Sequence, residues 1–198
     1  MTLRVKLLFL VILPIHTIFA QSVQKIVKDL DGDLKKDTIY IDSDLDKLFC
    51  ILSTNKYKPV ESLKIQILNF GNMLAPTKNG FEFWNDYGRS GFINEFKYNP
   101  KTKKVQLIRI TRTDYDISYT DFGEKVRNGS GKSSINLLTN KYVGNFYDVH
   151  NGKLRKLPTI YAEMIIPETN IEDFNDGLYF DYEKRCVALY EKRKKETR

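Results

Sequence analysis

The stretch that decides the fold is residues 91–113, whose sequence is GFINEFKYNPKTKKVQLIRITRT. Two strand-like segments, residues 92–98 and 105–111, flank a polar connection at residues 99–103. Asn99 and Pro100 begin that connection and supply the backbone conformations that a tight turn needs. The stretch therefore predicts a β-hairpin.

Strand patterns continue on both sides of this hairpin. Residues 63–68 alternate apolar and polar side chains, and Asn151-Gly152 is a strong turn signal between the segments 142–149 and 154–164. The other strand-like segments are 37–41, 48–52, 80–84 and 134–138. Helical spacing is restricted to the end of the chain, where a helix is expected from about Asp181 onward. We predict a mainly β fold of antiparallel sheets, arranged as a sandwich or a small propeller, with a C-terminal α-helix.

The composition is that of a globular protein. Of the 198 residues, 41% are hydrophobic, 29% are charged and 13% are aromatic, and the formal net charge is +7. Residues 1–20 have the layout of a secretory signal peptide, because Arg4 and Lys6 precede an apolar run and Ala20 offers a cleavage point. Residues 21–198 suit a single β-rich domain without a transmembrane segment. The sequence therefore predicts a secreted or periplasmic protein.

The histidine and cysteine counts limit the chemistry. Once the signal is removed, His150 is the sole histidine, which excludes HExxH motifs and zinc sites that need two histidines. His150 lies at the edge of a predicted turn, and we assign no catalytic residue and expect no enzymatic activity. Cys50 and Cys186 form either a disulfide, as an oxidising compartment allows, or two buried free thiols.

The strongest chemical motif is the acidic loop at residues 29–37, DLDGDLKKD. Its carboxylates occupy positions 1, 3, 5 and 9, which are Asp29, Asp31, Asp33 and Asp37, and the backbone carbonyl of Lys35 is at position 7. Calcium is a hard cation that binds six to eight oxygen atoms. Carboxylates packed together repel one another unless a cation lies between them. These five residues are therefore the predicted ligands of a Ca²⁺ ion that pins the start of the first long strand.

The loop resembles the calcium loop of FG-GAP (integrin α-type) repeats, whose D-x-D-G-D-x-x-x-D pattern leads into a β-strand. An EF-hand fits less well, because its loop needs glycine at position 6 and glutamate at position 12, where this chain has Leu34 and Tyr40. A single such loop on a secreted β-rich domain is also similar to calcium-binding inhibitors and immunity proteins of the bacterial envelope. That resemblance implies a partner that is a peptidoglycan hydrolase.

These features favour a calcium-stabilised domain that binds a protein or glycan partner, with residues 84–89 and 113–134 as candidate contact segments. Two alternatives stay open. A carbohydrate- or peptidoglycan-binding module needs coplanar exposed rings, for which Trp84 and Tyr87 are candidates, and an acid-based hydrolase needs two carboxyl groups in one cleft. A nucleic-acid partner is not expected, because no base-reading motif accompanies the basic run at residues 192–195.

Overall fold

The computed structural model describes residues 24–68, 71–115, 117–120, 123–127 and 129–197, and the predicted signal peptide at residues 1–20 lies outside them. Within these ranges the chain forms fourteen β-strands, a short 3₁₀ turn and one α-helix. In chain order they are β1 (Lys25–Lys28), β2 (Asp37–Asp42), β3 (Lys47–Ile51), β4 (Pro59–Glu61), β5 (Met73–Pro76), β6 (Gly80–Asp86), β7 (Ser90–Asn99), β8 (Lys104–Asp114), β9 (Ile117–Thr120), β10 (Gly123–Val126), β11 (Gly131–Asn136), β12 (Lys141–His150), β13 (Lys153–Lys156), β14 (Ile160–Glu163), the 3₁₀ turn (Ile171–Asp173) and α1 (Gly177–Glu196).

The predicted hairpin is confirmed and lies at the centre of the larger sheet. Strands β7 and β8 pair antiparallel, and the chain reverses where the Lys103 N–H donates to the Asn99 carbonyl oxygen at 2.8 Å. The strand order across the sheet is β13-β12-β11-β8-β7-β6-β5, and β14 also pairs with β12. The Asn-Gly turn is confirmed as well, since Asn151 and Gly152 both have positive φ between β12 and β13.

A smaller sheet and a separate hairpin complete the β structure. The smaller sheet has the order β1-β2-β3-β4 and carries the acidic loop between β1 and β2. Strands β9 and β10 pair with each other as a two-stranded ribbon, and within the described ranges neither is hydrogen-bonded into a larger sheet. This ribbon therefore leaves the main sheet after β8 and returns to it before β11.

The C-terminal helix packs on one face of the larger sheet through a stripe of tyrosines. The Tyr179 ring stacks on Phe92 of β7 at 4.0 Å between centroids, and Tyr190 meets Phe146 of β12 edge-on at 5.9 Å. The helix begins at Gly177, so the predicted start near Asp181 is wrong by about one turn. Burial of Tyr179 against Phe92 stabilises that additional turn, because the aromatic contact outweighs the low helix propensity of Gly177.

The predicted strand at residues 63–68 is wrong. This segment is irregular, with Ile65 buried while Leu63 and Ile67 are about half exposed. Its backbone donors bond outside any strand ladder, since the Ile65 N–H donates to the Asp46 carbonyl and the Ile67 N–H to the Asp176 carboxylate. The sequence alternates apolar and polar residues, but the burial of their side chains does not alternate, and distant acceptors replace the partner strand that the pattern predicted.

The predicted strand at residues 154–164 is divided into β13 and β14. Pro158 lies between the two strands and has no N–H to donate to a ladder. The N–H of Leu157 still donates to the Phe146 carbonyl at 2.9 Å, after which the chain leaves β13 and pairs with the opposite end of β12. One sequence segment therefore forms two edge strands.

The predicted fold class is confirmed: the protein is mainly β, with antiparallel sheets and a C-terminal helix. Residues of both sheets and of α1 contribute to one hydrophobic core, including Ile39, Phe96 and Tyr182. Cys50 and Cys186 are both buried as free thiols, which is the second of the two alternatives for this pair. In the part of the chain that is described, no helix has the length and apolar character needed to cross a membrane.

Candidate functional site

The acidic loop joins β1 to β2 and turns through two residues of left-handed backbone conformation. Gly32 has φ +86° and Leu34 has φ +67°. The side chain of Leu34 is 93% exposed, so nothing in the core holds this residue in its strained conformation. Hydrogen bonds to the aspartates hold it instead, because the N–H groups of Gly32 and Leu34 donate to the two carboxylate oxygens of Asp29 at 2.7 and 2.9 Å.

Three of the predicted ligands are brought together. Asp29, Asp31 and Asp37 each offer a carboxylate oxygen, and these three atoms all lie within 4.8 Å of one another. Asp37 is fully buried at the start of β2, where its carboxylate accepts the N–H groups of Leu30 at 2.7 Å and Ser53 at 2.8 Å. The cluster therefore joins a buried anchor to two partly exposed carboxylates.

Ser53 and Thr54 support the loop from the segment that follows β3. The Thr54 hydroxyl donates to Asp31 at 2.6 Å, and the Ser53 hydroxyl donates to Asp33 at 2.8 Å. Neither residue is predicted by the spacing of the acidic loop, because they are about twenty positions away in sequence. Their position directly after β3 indicates that they could reach the loop only once the pairing of β3 with β2 is known, and that pairing comes from the structure.

Asp33 and Lys35, the other two predicted ligands, interact with each other. The Asp33 carboxylate is outside the group of three, and it accepts the Lys35 N–H at 2.9 Å while the Lys35 ammonium lies 3.6 Å away. The hydrogen bond from the Lys35 N–H, followed by that from the Ser53 hydroxyl, lowers the pKa of Asp33. Ligation by the Asp33 carboxylate and by the Lys35 carbonyl stays a prediction.

The chemistry of the cluster suits a cation. Two ligands on opposite sides of a calcium ion are about 4.6–5.2 Å apart, because each Ca–O distance is about 2.3–2.6 Å. The 4.8 Å limit on the spacing of the three oxygen atoms falls inside that range. Each carboxylate also has lone pairs beyond those that accept the backbone N–H groups. The Asp29, Asp31 and Asp37 cluster can therefore hold a metal ion.

A second feature is an ion-pair network at the base of the β9–β10 ribbon, which we call the hairpin clamp and define as Arg112, Asp114, Arg127 and Glu183. Arg112 is 1% exposed, and it donates to Asp114 at 2.6 Å and to Glu183 of α1 at 3.0 Å. Arg127 contacts the same two carboxylates from the returning strand. Asp114 ends β8 and Arg127 directly follows β10, so the clamp ties both stems of the ribbon to the helix.

The sequence gives a weak signal for this clamp. Arg112 and Asp114 are two positions apart on a strand and thus share a face, but nothing in the sequence relates them to Glu183 on the helix. The carbonyl of Gly129 accepts a further hydrogen bond from Arg112 at 2.9 Å, which secures the chain just before β11. The candidate contact segment at residues 113–134 is therefore built around a fixed base.

The aromatic residues proposed as a sugar platform lie on different faces of the sheet. Tyr87 meets Phe92 edge-on at 6.4 Å, on the face that α1 covers. Trp84 follows Phe83, whose ring packs toward the helix side against Phe174, so Trp84 projects to the opposite face and its indole N–H donates to Glu82 at 2.8 Å. These two rings do not form one stacking surface.

Compared with protein families, with curated proteins and with solved structures, the chain has no match. The resemblance of residues 29–37 to an FG-GAP loop therefore rests on those residues and their spacing.

Proposed function

We propose that this protein is a calcium-stabilised β-domain that acts outside the cytoplasm by binding another macromolecule, and that the β9–β10 ribbon is its contact element. The observation that carries the binding function is the hairpin clamp, because it anchors both stems of a ribbon that is not hydrogen-bonded to the larger sheets. A contact element held in advance loses less conformational freedom on binding.

Calcium is the proposed ion because every candidate ligand is an oxygen atom. Zinc and copper sites in proteins draw on histidine and cysteine, whereas carboxylates and carbonyls suit calcium. Extracellular calcium modules work with dissociation constants of about 10⁻⁴–10⁻³ M, so a loop with few rigid ligands is sufficient. The ion then stabilises the fold by holding the β1–β2 connection against the segment at Ser53 and Thr54.

The most concrete form of the binding function is an inhibitor or immunity protein of a peptidoglycan hydrolase. Such a protein blocks a substrate cleft, for which an anchored two-stranded ribbon is a suitable shape. The clamp contains two arginines and two carboxylates, so it is neutral as a unit and leaves recognition to the ribbon itself.

The test is inhibition of dye release from labelled peptidoglycan by purified lysozymes, amidases and endopeptidases, measured with residues 21–198 in millimolar calcium. We expect one hydrolase class to be inhibited, and the Arg127→Ala variant to inhibit at least tenfold more weakly because one stem of the ribbon is released. Arg109→Ala is the matched control, since Arg109 has the same 49% side-chain exposure as Arg127 and lies on β8 outside residues 113–134.

Two results contradict this proposal. If none of the hydrolases is inhibited or bound, the inhibitor function is wrong. If Arg127→Ala inhibits as strongly as Arg109→Ala and the unmodified protein, the ribbon is not the contact element.

A further inference from the structure

A cavity of about 270 Å³ lies between the smaller sheet and the turn of the β7–β8 hairpin, away from the β9–β10 ribbon. Its inner wall is apolar and comes from three parts of the chain. Cys50 and Leu52 come from β3 and the residue after it, Val105 from β8, and Ile171 from the 3₁₀ turn. These four residues are all buried, and half-buried Val60 of β4 completes the wall.

The Cys50 thiol belongs to this apolar wall. Burial, and then the nearby negative charges of Asp37 and Asp31, raise the pKa of Cys50 to about 12. The thiol is therefore uncharged at neutral pH and behaves as a small hydrophobic group. A ligand body placed against Cys50 therefore meets an uncharged group.

The mouth of the cavity carries positive charge. Lys103 and Lys104 both line it, together with Glu172. The Lys104 ammonium is paired with Glu172 at 2.6 Å, whereas within the described ranges no carboxylate lies within ion-pair distance of the exposed Lys103 ammonium. Lys103 has φ +57°, and its backbone N–H donates to the Asn99 carbonyl. The turn therefore fixes the backbone position from which the Lys103 side chain extends.

The polar side of the mouth is held in place by the acidic loop. Thr54 lines the cavity, and its hydroxyl is the group that donates to Asp31. Asn55 also lines it and donates its side-chain N–H to the Lys58 carbonyl at 3.2 Å. The cavity is thus formed by residues that other contacts already fix, as in most small-molecule sites.

We infer that this cavity binds a small amphipathic anion, with its apolar body against Cys50, Leu52 and Ile171 and its anionic group at Lys103. A water molecule occupies about 30 Å³ in the liquid, so the cavity has room for a ligand of about ten non-hydrogen atoms. A medium-chain carboxylate has this size and this division of polarity. The inference is independent of the β9–β10 ribbon.

Octanoate is the probe, and its binding to residues 21–198 is measured by calorimetry and by ¹H–¹⁵N chemical shifts. We expect saturable binding with a dissociation constant below about 1 mM and shifts concentrated at residues 50–60 and 103–105. Val60→Phe fills the cavity from its half-buried wall and should abolish binding. Lys103→Glu should weaken binding at least tenfold, whereas Lys101→Glu, on the same turn but outside the cavity lining, should change it less than twofold.

Octan-1-ol separates the apolar contribution from the charge, and we expect it to bind about threefold more weakly than octanoate, because Lys103 is exposed. Absence of saturable octanoate binding up to 10 mM would overturn the inference, as would equal binding by Val60→Phe in a variant whose spectrum shows a native fold. Equal effects of Lys103→Glu and Lys101→Glu would overturn the assignment of the anion contact.

Discussion

Replacement of Arg112 by methionine tests whether the buried ion pair of the hairpin clamp stabilises the fold. Arg112 is 1% exposed and Asp114 is 0% exposed, so the substitution removes the buried partner of a buried carboxylate. Breaking a buried ion pair in this way costs about 3–5 kcal/mol. Because Arg127 also contacts Asp114, we expect a loss at the lower end, about 3 kcal/mol.

Exposed arginines provide the comparison. The side chain of Arg127 is 49% exposed, and so is that of Arg109, which pairs with Glu95 at 3.1 Å on the same strand as Arg112. Exposed ion pairs contribute about 0–1 kcal/mol. We therefore expect Arg109→Met to lower the free energy of unfolding by less than about 1 kcal/mol. Arg127→Met should fall between Arg109→Met and Arg112→Met, because its partner Asp114 is buried but keeps Arg112.

Urea unfolding followed by circular dichroism measures all three variants. With a slope of about 2 kcal/mol per molar urea, a loss of 3 kcal/mol lowers the midpoint by about 1.5 M. A midpoint for Arg112→Met within about 0.5 M of the unmodified protein would refute the argument, because the clamp would then contribute no more than a surface pair. Equal losses for Arg112→Met and Arg109→Met would refute it as well.

Three further predictions follow from single contacts. Burial opposes but does not overcome the hydrogen bonds and charge of Lys194 and the contact from Arg155, which together lower the pKa of Asp148. The stability from this carboxylate is therefore present above about pH 4 and is lost as the pH falls through its lower folded pKa. Urea midpoints measured from about pH 6 to about pH 2.5 should show a loss that Asp148→Asn lacks. Parallel plots of midpoint against pH for the two proteins would contradict this. The thiols of Cys50 and Cys186 are both buried with raised pKa values, so at pH 8 a disulfide reagent should label them at least a hundredfold more slowly in the native protein than in urea, and equal rates would show that they are accessible. Gly131→Ala should cost about 2 kcal/mol or more, since a Cβ there would lie 2.1 Å from the Asn145 carbonyl oxygen, whereas Gly152→Ala, with positive φ but no atom within 4 Å, should cost about 1 kcal/mol; equal losses would contradict the steric argument.

The elements that could be predicted from sequence are those that local residues determine. Asn99-Pro100 and Asn151-Gly152 fix their turns through backbone preferences that need no distant partner. Residues 63–68 have an equally clear alternation, yet acceptors at Asp46 and Asp176 direct their N–H groups away from a sheet. The local pattern therefore does not predict secondary structure where hydrogen bonds to residues distant in sequence determine the backbone conformation.

The candidate site divides in the same way. The spacing of the acidic loop predicted that Asp29, Asp31 and Asp37 come together, and the turn through Gly32 and Leu34 achieves this within nine residues. Ser53 and Thr54 are placed by the pairing of β3 with β2, and the hairpin clamp is completed by Glu183 of α1, so spacing along the sequence does not relate these residues to their partners. Asp33 shows why spacing alone does not identify every ligand. Its carboxylate accepts hydrogen bonds from the Lys35 N–H and the Ser53 hydroxyl and lies outside the group of three.

Calcium binding by the acidic loop is the central claim, and thermal unfolding of residues 21–198 in EDTA and in 10 mM CaCl₂ tests it most directly. With a dissociation constant of about 10⁻⁴–10⁻³ M, linkage adds about 1.4–2.7 kcal/mol, which for a domain of this size raises the midpoint by about 3–10 °C. Asp31→Ala should abolish this rise, and Asp44→Ala, in the acidic turn at residues 42–46, should retain it. Identical curves for the unmodified protein with and without calcium, or an equal rise in Asp31→Ala, would contradict the claim.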